Sequence, residues 1–131
     1  MQRRKEPYKL SQKSLERLVG VDPRLVALIH EALHYVDFSV IEGLRTEETQ
    51  KAYVDTGVSK TLKSKHLEGL AVDLYPWPCP KTRDGMIDSN ANDWNILAFY
   101  LGYCAGKLGL NITWGGTWKS LVDKPHFELE D

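Results

Sequence analysis

The residue that most restricts how this chain can fold is an acid inside an apolar run. Leu70-Ala71-Val72-Asp73-Leu74-Tyr75 reads as a buried strand, and Asp73 sits within it. An ionised carboxylate is costly to bury alone, so a fold that keeps this strand inside must bring a partner to position 73. A metal would neutralise it. A polar, loop-like stretch over residues 58–69 precedes the strand and carries His66 and the turn-forming Gly69. A second apolar stretch, His126-Phe127-Glu128-Leu129, opens on another histidine.

Caps and breakers divide the rest of the chain. Ser11 caps a short helix through residue 19, stopped by Gly20. Asp22-Pro23 reads as the N-cap and first residue of a helix to about residue 35, with Leu25, Leu28, Ile29, Ala32, Leu33 and Val36 on its apolar face. Residues 38–41 read as a strand. Thr46, followed by Glu47 and Glu48, caps a third helix that stops near Gly57. Pro76, Pro78 and Pro80 exclude residues 76–80 from a central strand. Residues 81–92 read as a loop, and a long helix spans about 93–108 before Gly109. Residues 111–114 and 126–129 are short strands joined by a Gly-rich loop. Helices first and strands interspersed predict an α+β fold with a small, mostly antiparallel sheet packed with helices.

At 131 residues the chain is expected to form one domain. Apolar residues make up 42% and charged residues 27%, which excludes disorder and a disulfide scaffold. Lys and Arg number 17 against 18 Asp and Glu, a net charge of −1. That balance argues against a nucleic-acid partner and against stable association with a membrane through a basic surface. No apolar segment follows the basic N-terminus, so no signal peptide is expected. Cys79 and Cys104 belong to no Cys-x-x-Cys pair and read as free thiols.

Two histidine sets compete for a metal. His30-Glu31-Ala32-Leu33-His34 matches H-E-x-x-H, which on a helix could bind zinc with Glu31 as general base. The apolar face set by Ile29 and Val36 turns those histidines toward water, so two solvated histidines are the better reading. The second set is His66, Asp73 and His126. Three such ligands leave the fourth position of a zinc ion to water, the catalytic pattern. The alternative is a hydrogen-bonded pair of His66 and Asp73 with an unrelated His126.

Ser64-Lys65-His66-Leu67-Glu68-Gly69-Leu70-Ala71-Val72-Asp73 followed by Asp123-Lys124-Pro125-His126 resembles the motifs of the D-alanyl-D-alanine carboxypeptidase and dipeptidase clan of zinc peptidases. With Glu42-Gly43-Leu44-Arg45-Thr46, Gln50 and Trp114-Gly115-Gly116-Thr117-Trp118, the chain is more closely similar to bacteriophage L-alanyl-D-glutamate peptidase endolysins. The resemblance implies a Hedgehog/DD-peptidase-like fold in which residues 1–131 are a single catalytic domain without a separate wall-binding domain. It implies one Zn2+ held by His66, Asp73 and His126, with Asp123 as general base and Arg45 as the partner of the oxyanion. Ser64 would hydrogen-bond beside a ligand. Glu128 would orient His126 or face solvent, and Trp114 and Trp118 would wall the cleft or pack in the core.

The implied substrate is the peptidoglycan stem peptide, cut between L-Ala and D-Glu by a monomeric enzyme. That enzyme would wait in the host cytoplasm until a holin-type protein releases it to the wall. Release of terminal D-Ala, or a non-catalytic zinc-containing wall-binding module, are the alternatives. The oxygen-rich stretch of Asp88 to Asp93 resembles a weak calcium loop, though it lacks the Gly and the terminal Glu of an EF-hand and helix capping explains it better.

Overall fold

The computed structural model describes residues 2–57 and 64–130, so part of the polar loop expected over residues 58–69 lies outside the described residues. In chain order the elements are α1 (Gln12–Arg17), α2 (Pro23–Ala32), β1 (Phe38–Glu42), α3 (Glu47–Asp55), β2 (Ala71–Pro76), α4 (Asp93–Leu108), β3 (Asn111–Trp114) and β4 (His126–Glu130). Short 3-10 turns at Lys65–Glu68 and Gly115–Thr117 precede β2 and follow β3. The four strands form one antiparallel sheet in the order β1-β2-β4-β3, as the α+β expectation required.

Strand alternation gives the sheet two chemically different faces. Phe38, Val40, Val72, Leu74 and Phe127 point to the side covered by α2 and α4, where Leu25, Leu28, Ile29, Leu97 and Leu101 are fully buried. Trimming one such leucine to alanine costs about 2–5 kcal/mol in comparable cores. Asp73, Tyr75, His126 and Glu128 alternate with these residues and face the other way.

Most predicted elements are present, with four differences. First, α2 ends at Ala32, because the chain tightens into i to i+3 bonds (His34 N–H to Glu31 O 3.0 Å, Tyr35 N–H to Ala32 O 2.9 Å). The N-terminal segment takes the next carbonyls, with Arg4 N–H on His34 O and Tyr8 N–H on Leu33 O, each at 2.9 Å. Second, α1 stops at Arg17. Third, Pro76 does end the central strand β2, opposite Phe38. Strand β4 pairs only with residues 71–73 of β2, so Pro76 has a partner strand on one side alone and no ladder donor is missed there. Fourth, the stretch from Asp88 does not cap α4. Asn92 makes no side-chain cap bond, while Asp88 accepts from Asn90 N–H at 3.0 Å as a turn of its own. The Lys81 to Asn92 loop also carries an isolated antiparallel bridge between Lys81 and Ile87. Cys104 lies in the core with its thiol pushed up to about 11 by burial, and Cys79 is half-buried near the end of β2. Among the described residues no helix is long and apolar enough to cross a membrane.

The H-E-x-x-H stretch is a surface ion network. His30 is exposed, and His34, beyond the helix, donates from Nδ1 to Arg4 O at 2.6 Å. Glu31 binds Arg3 at 2.8 and 2.9 Å and Lys107 at 3.0 Å. The hydrogen bond from Arg3, opposed by partial burial and aided by Lys107, lowers its pKa from 4.5 to about 2. A depressed carboxylate contributes stability that is complete above the unfolded pKa and is lost as pH falls through the folded one. The stability difference between wild type and Glu31→Gln, measured by urea unfolding at several pH values, is therefore expected to be constant above about pH 5. It should vanish toward pH 2, and metal binding at neutral pH should match that of wild type.

Candidate metal centre

The register of β2 against β4 sets Asp73 directly opposite His126, on the face turned away from the helices. His66 comes from the 3-10 turn just before β2. Ser64 caps that turn by accepting from the His66 backbone N–H at 3.2 Å, so its bond goes to the ligand's backbone and not to the imidazole. The turn closes at Gly69 in the left-handed region (φ 71°), where a Cβ would lie 2.5 Å from the Gly20 carbonyl. Three side chains from two strands and a turn thus converge. His66 Nε2 lies 3.2 Å from Asp73 Oδ1, His126 Nδ1 lies 3.3 Å from the same oxygen, and the imidazole centroids are 5.0 Å apart. His66 and His126 are both buried.

The outer nitrogens fix the tautomers. His66 Nδ1 donates to Gly43 O at 2.8 Å, and His126 Nε2 donates to Glu128 Oε1 at 2.7 Å. In neutral imidazoles the inner nitrogens then carry lone pairs, and both face an ionised carboxylate oxygen. When the inner nitrogens carry protons instead, they donate to Asp73: burial opposes its ionisation, but these bonds from His126 and His66 outweigh it and hold the carboxyl well below the usual range. Burial likewise opposes charging of His126, and its contacts with Asp73 and Glu128 prevail and raise its pKa. A divalent ion among these atoms satisfies both lone pairs and the carboxylate together. His66, Asp73 and His126 can therefore hold a metal ion, their ligand atoms lying within 4.8 Å of one another; among the described residues they are the one such group.

The group lies in a cleft of about 830 Å³. Asp123 lines it from the turn before β4, where its N–H bonds Gly115 O at 3.0 Å and its carbonyl accepts from His126 N–H at 3.1 Å. A Cβ on Gly115 would stand 2.3 Å from the Asp123 carbonyl oxygen, so only glycine lets the two turns approach this closely. Burial, and then the charge of Asp73, raise the pKa of Asp123. Arg45 lines the same cleft with its side chain 9% exposed. Glu128 orients His126 and does not simply face solvent; Lys65 balances it at 3.6 Å. Trp118 walls the cleft, its ring 5.0 Å from that of His126. Trp114 does not line the cleft. It stacks on Phe127 on the core side, and its indole N–H donates to Lys124 O at 2.6 Å, steadying the turn that carries Asp123.

Glu42, Tyr53 and Tyr75 also line the cleft and were not singled out as site residues from the sequence. Tyr75 was within reach, since it lies two positions from Asp73 on the same face. Glu42 was not, because a β-bulge decides its direction: Val40 pairs with Leu74, and Glu42, not Ile41, pairs with Asp73.

Three candidate ligands facing an open cleft match the pattern of a catalytic rather than a structural metal site. The profile of the phage L-alanyl-D-glutamate peptidases matches residues 7–129, and the chain belongs to that family. It is 32% identical over 96 residues to an L-alanyl-D-glutamate peptidase of a Listeria phage, covering 72% of this chain but 31% of that protein. The chain thus spans about a third of the length of this curated relative. The crystal structure of the Serratia marcescens L-Ala D-Glu endopeptidase ChiX is similar over 95% of this chain and 92% of its own, with 39% identity and a TM-score of 0.80.

Zinc titration followed by elemental analysis is expected to give one ion per chain. That ion should be lost in His66→Ala, Asp73→Ala and His126→Ala and kept in His30→Ala. Glu128→Gln should weaken it by about 10–100-fold. Gly115→Ala should cost about 1–3 kcal/mol in urea unfolding, because backbone must move to admit the methyl group.

Proposed function

We propose that the chain is a zinc-dependent endopeptidase that cuts the L-Ala–D-Glu bond of the peptidoglycan stem peptide, as a phage endolysin does. The observation that carries the zinc reading is the pair of buried imidazoles whose inner nitrogens converge on one Asp73 oxygen. The bond specificity rests on the family and on the two relatives named above. Bound to His66, Asp73 and His126, zinc would polarise the scissile carbonyl and lower the pKa of a water molecule.

The remaining steps belong to the protein. Asp123 faces the same cleft, and its raised pKa makes it a better proton acceptor than an ordinary aspartate; it takes the proton of the attacking water and returns it to the leaving amine. Arg45 supplies N–H donors to the developing oxyanion from a site shielded from water. Glu128 keeps His126 in one tautomer, and Ser64 holds the turn that aims His66. Trp118 gives the cleft an apolar wall against which the peptide lies. In this reading the enzyme acts as a monomer on the wall, after a separate membrane-permeabilising protein has let it through.

Mass spectrometry of muropeptides after digestion of purified cell walls tests the proposal. New N-terminal D-Glu is expected, abolished by a chelator and restored by zinc. Asp123→Asn should lower turnover by about 10²–10⁴-fold with zinc content intact. Release of terminal D-Ala, or wall binding without turnover, would replace the proposal with one of the alternatives.

A further inference from the structure

Arg45 is not a free surface cation. Its Nε–H and one Nη2–H donate to Glu42 Oε1, the first at 2.7 Å, and Nη1–H donates to Gln50 Oε1 at 2.5 Å. The guanidinium lies over the Tyr53 ring, 4.7 Å from its centroid, and the Tyr53 hydroxyl donates to the other Glu42 oxygen, Oε2, at 3.1 Å. A guanidinium has five N–H groups, so two remain for the cleft that Arg45 lines. Glu42 thus binds the cation with one oxygen and the tyrosine beneath it with the other.

The parts come from separate elements. Glu42 ends β1 after the bulge, Arg45 sits in the following turn, and Gln50 and Tyr53 lie three residues apart on α3. The same turn is tied to the metal-binding histidine in both directions. Arg45 N–H donates to His66 O at 2.9 Å, and His66 Nδ1 donates to Gly43 O at 2.8 Å. Helix α1 braces the bulge itself: Val40 N–H donates to the Ser14 hydroxyl, and Arg17 donates to Val40 O, both at 3.0 Å.

We infer that Glu42 and Tyr53 are positioning residues, a mount that fixes the Arg45 guanidinium in register with His66 so that its two spare N–H groups meet the oxyanion. The inference rests on the endopeptidase reading and deepens it. An unrestrained arginine loses rotamer freedom each time it engages. A mount removes that cost before substrate arrives, as preorganisation requires.

The test is a double-mutant cycle on the zinc-loaded protein, read with NMR of the Arg45 Nε–H. Arg45→Ala should lower kcat by about 10²–10³-fold. Glu42→Gln should lower kcat by about 10–100-fold and Tyr53→Phe by about 2–10-fold, with KM within about threefold and one zinc per chain retained. In the Arg45→Ala background neither substitution should lower kcat further, since nothing is left to position. In wild type the Nε–H resonance should be sharp and slow to exchange, and Glu42→Gln should broaden it. Unchanged kcat in both variants, equal losses with and without Arg45, or an unmoved Nε–H resonance would overturn the mount. If Glu42→Gln does not fold, Tyr53→Phe carries both readouts. If wild type cuts no wall peptide, the endopeptidase reading fails, and the resonance alone decides whether the mount exists.

Discussion

Asp73 is an anion on the central strand of the sheet, and much of the molecule is arranged around that charge. Burial alone would raise its pKa, and hydrogen bonds from the two imidazoles reverse that shift. Each imidazole needs its own anchor: Gly43 O for His66 and Glu128 for His126. Glu128 in turn adds a second negative charge, partly met by Lys65, whose Nζ also bonds Leu129 O and Glu130. Among the described residues, the lining of the cleft holds the carboxylates Glu42, Asp73, Asp123 and Glu128 and the permanent cations Arg45 and Lys65. The inward imidazole nitrogens and the carboxylates around them favour a cation at this centre.

The scaffold separates this electrostatic demand from stability. Period-two alternation sends Val72, Leu74 and Phe127 into the helix-covered core and Asp73, Tyr75 and His126 into the cleft. The costly polar groups therefore share strands with the residues that stabilise the fold, and a slip of one residue in the pairing of β2 with β4 would bury the ligands among leucines. Core packing and ligand geometry are thus set by a single register, Asp73 opposite His126.

How much of this was legible in the sequence follows from the range of each interaction. Caps and stops are local, so Ser11, Asp22, Thr46 and Gly109 marked their helix ends. The α+β class and the strands carrying Asp73 and His126 were legible from apolar runs. The end of α2 was not, because residues 4–8 compete for its last carbonyls from far away in sequence. Pro76 was misjudged since its tolerance depends on where the neighbouring strand stops. At the site, the ligand trio and Asp123 were legible as motif letters. Glu42 was a motif letter too, but its place in the cleft was hidden because its direction depends on a bulge that α1 stabilises; that of Trp114 was hidden because a side chain on the core face of an edge strand looks the same in sequence as one on the cleft face.

The two histidine pairs show what separates a motif from a site. His30 and His34 are four residues apart in sequence, yet the helix ends between them, His30 is exposed and His34 turns to the Arg4 carbonyl. Glu31, which a protease of that type would use as its base, is instead neutralised by Arg3 and Lys107. His66 and His126 are sixty residues apart, yet each has its outer nitrogen spoken for and its inner nitrogen aimed at one carboxylate oxygen. What makes the second pair a candidate site is that partners outside the centre hold both rings while their inner nitrogens share one carboxylate oxygen. An ion binding there meets donors that are already oriented and loses little freedom in gathering them.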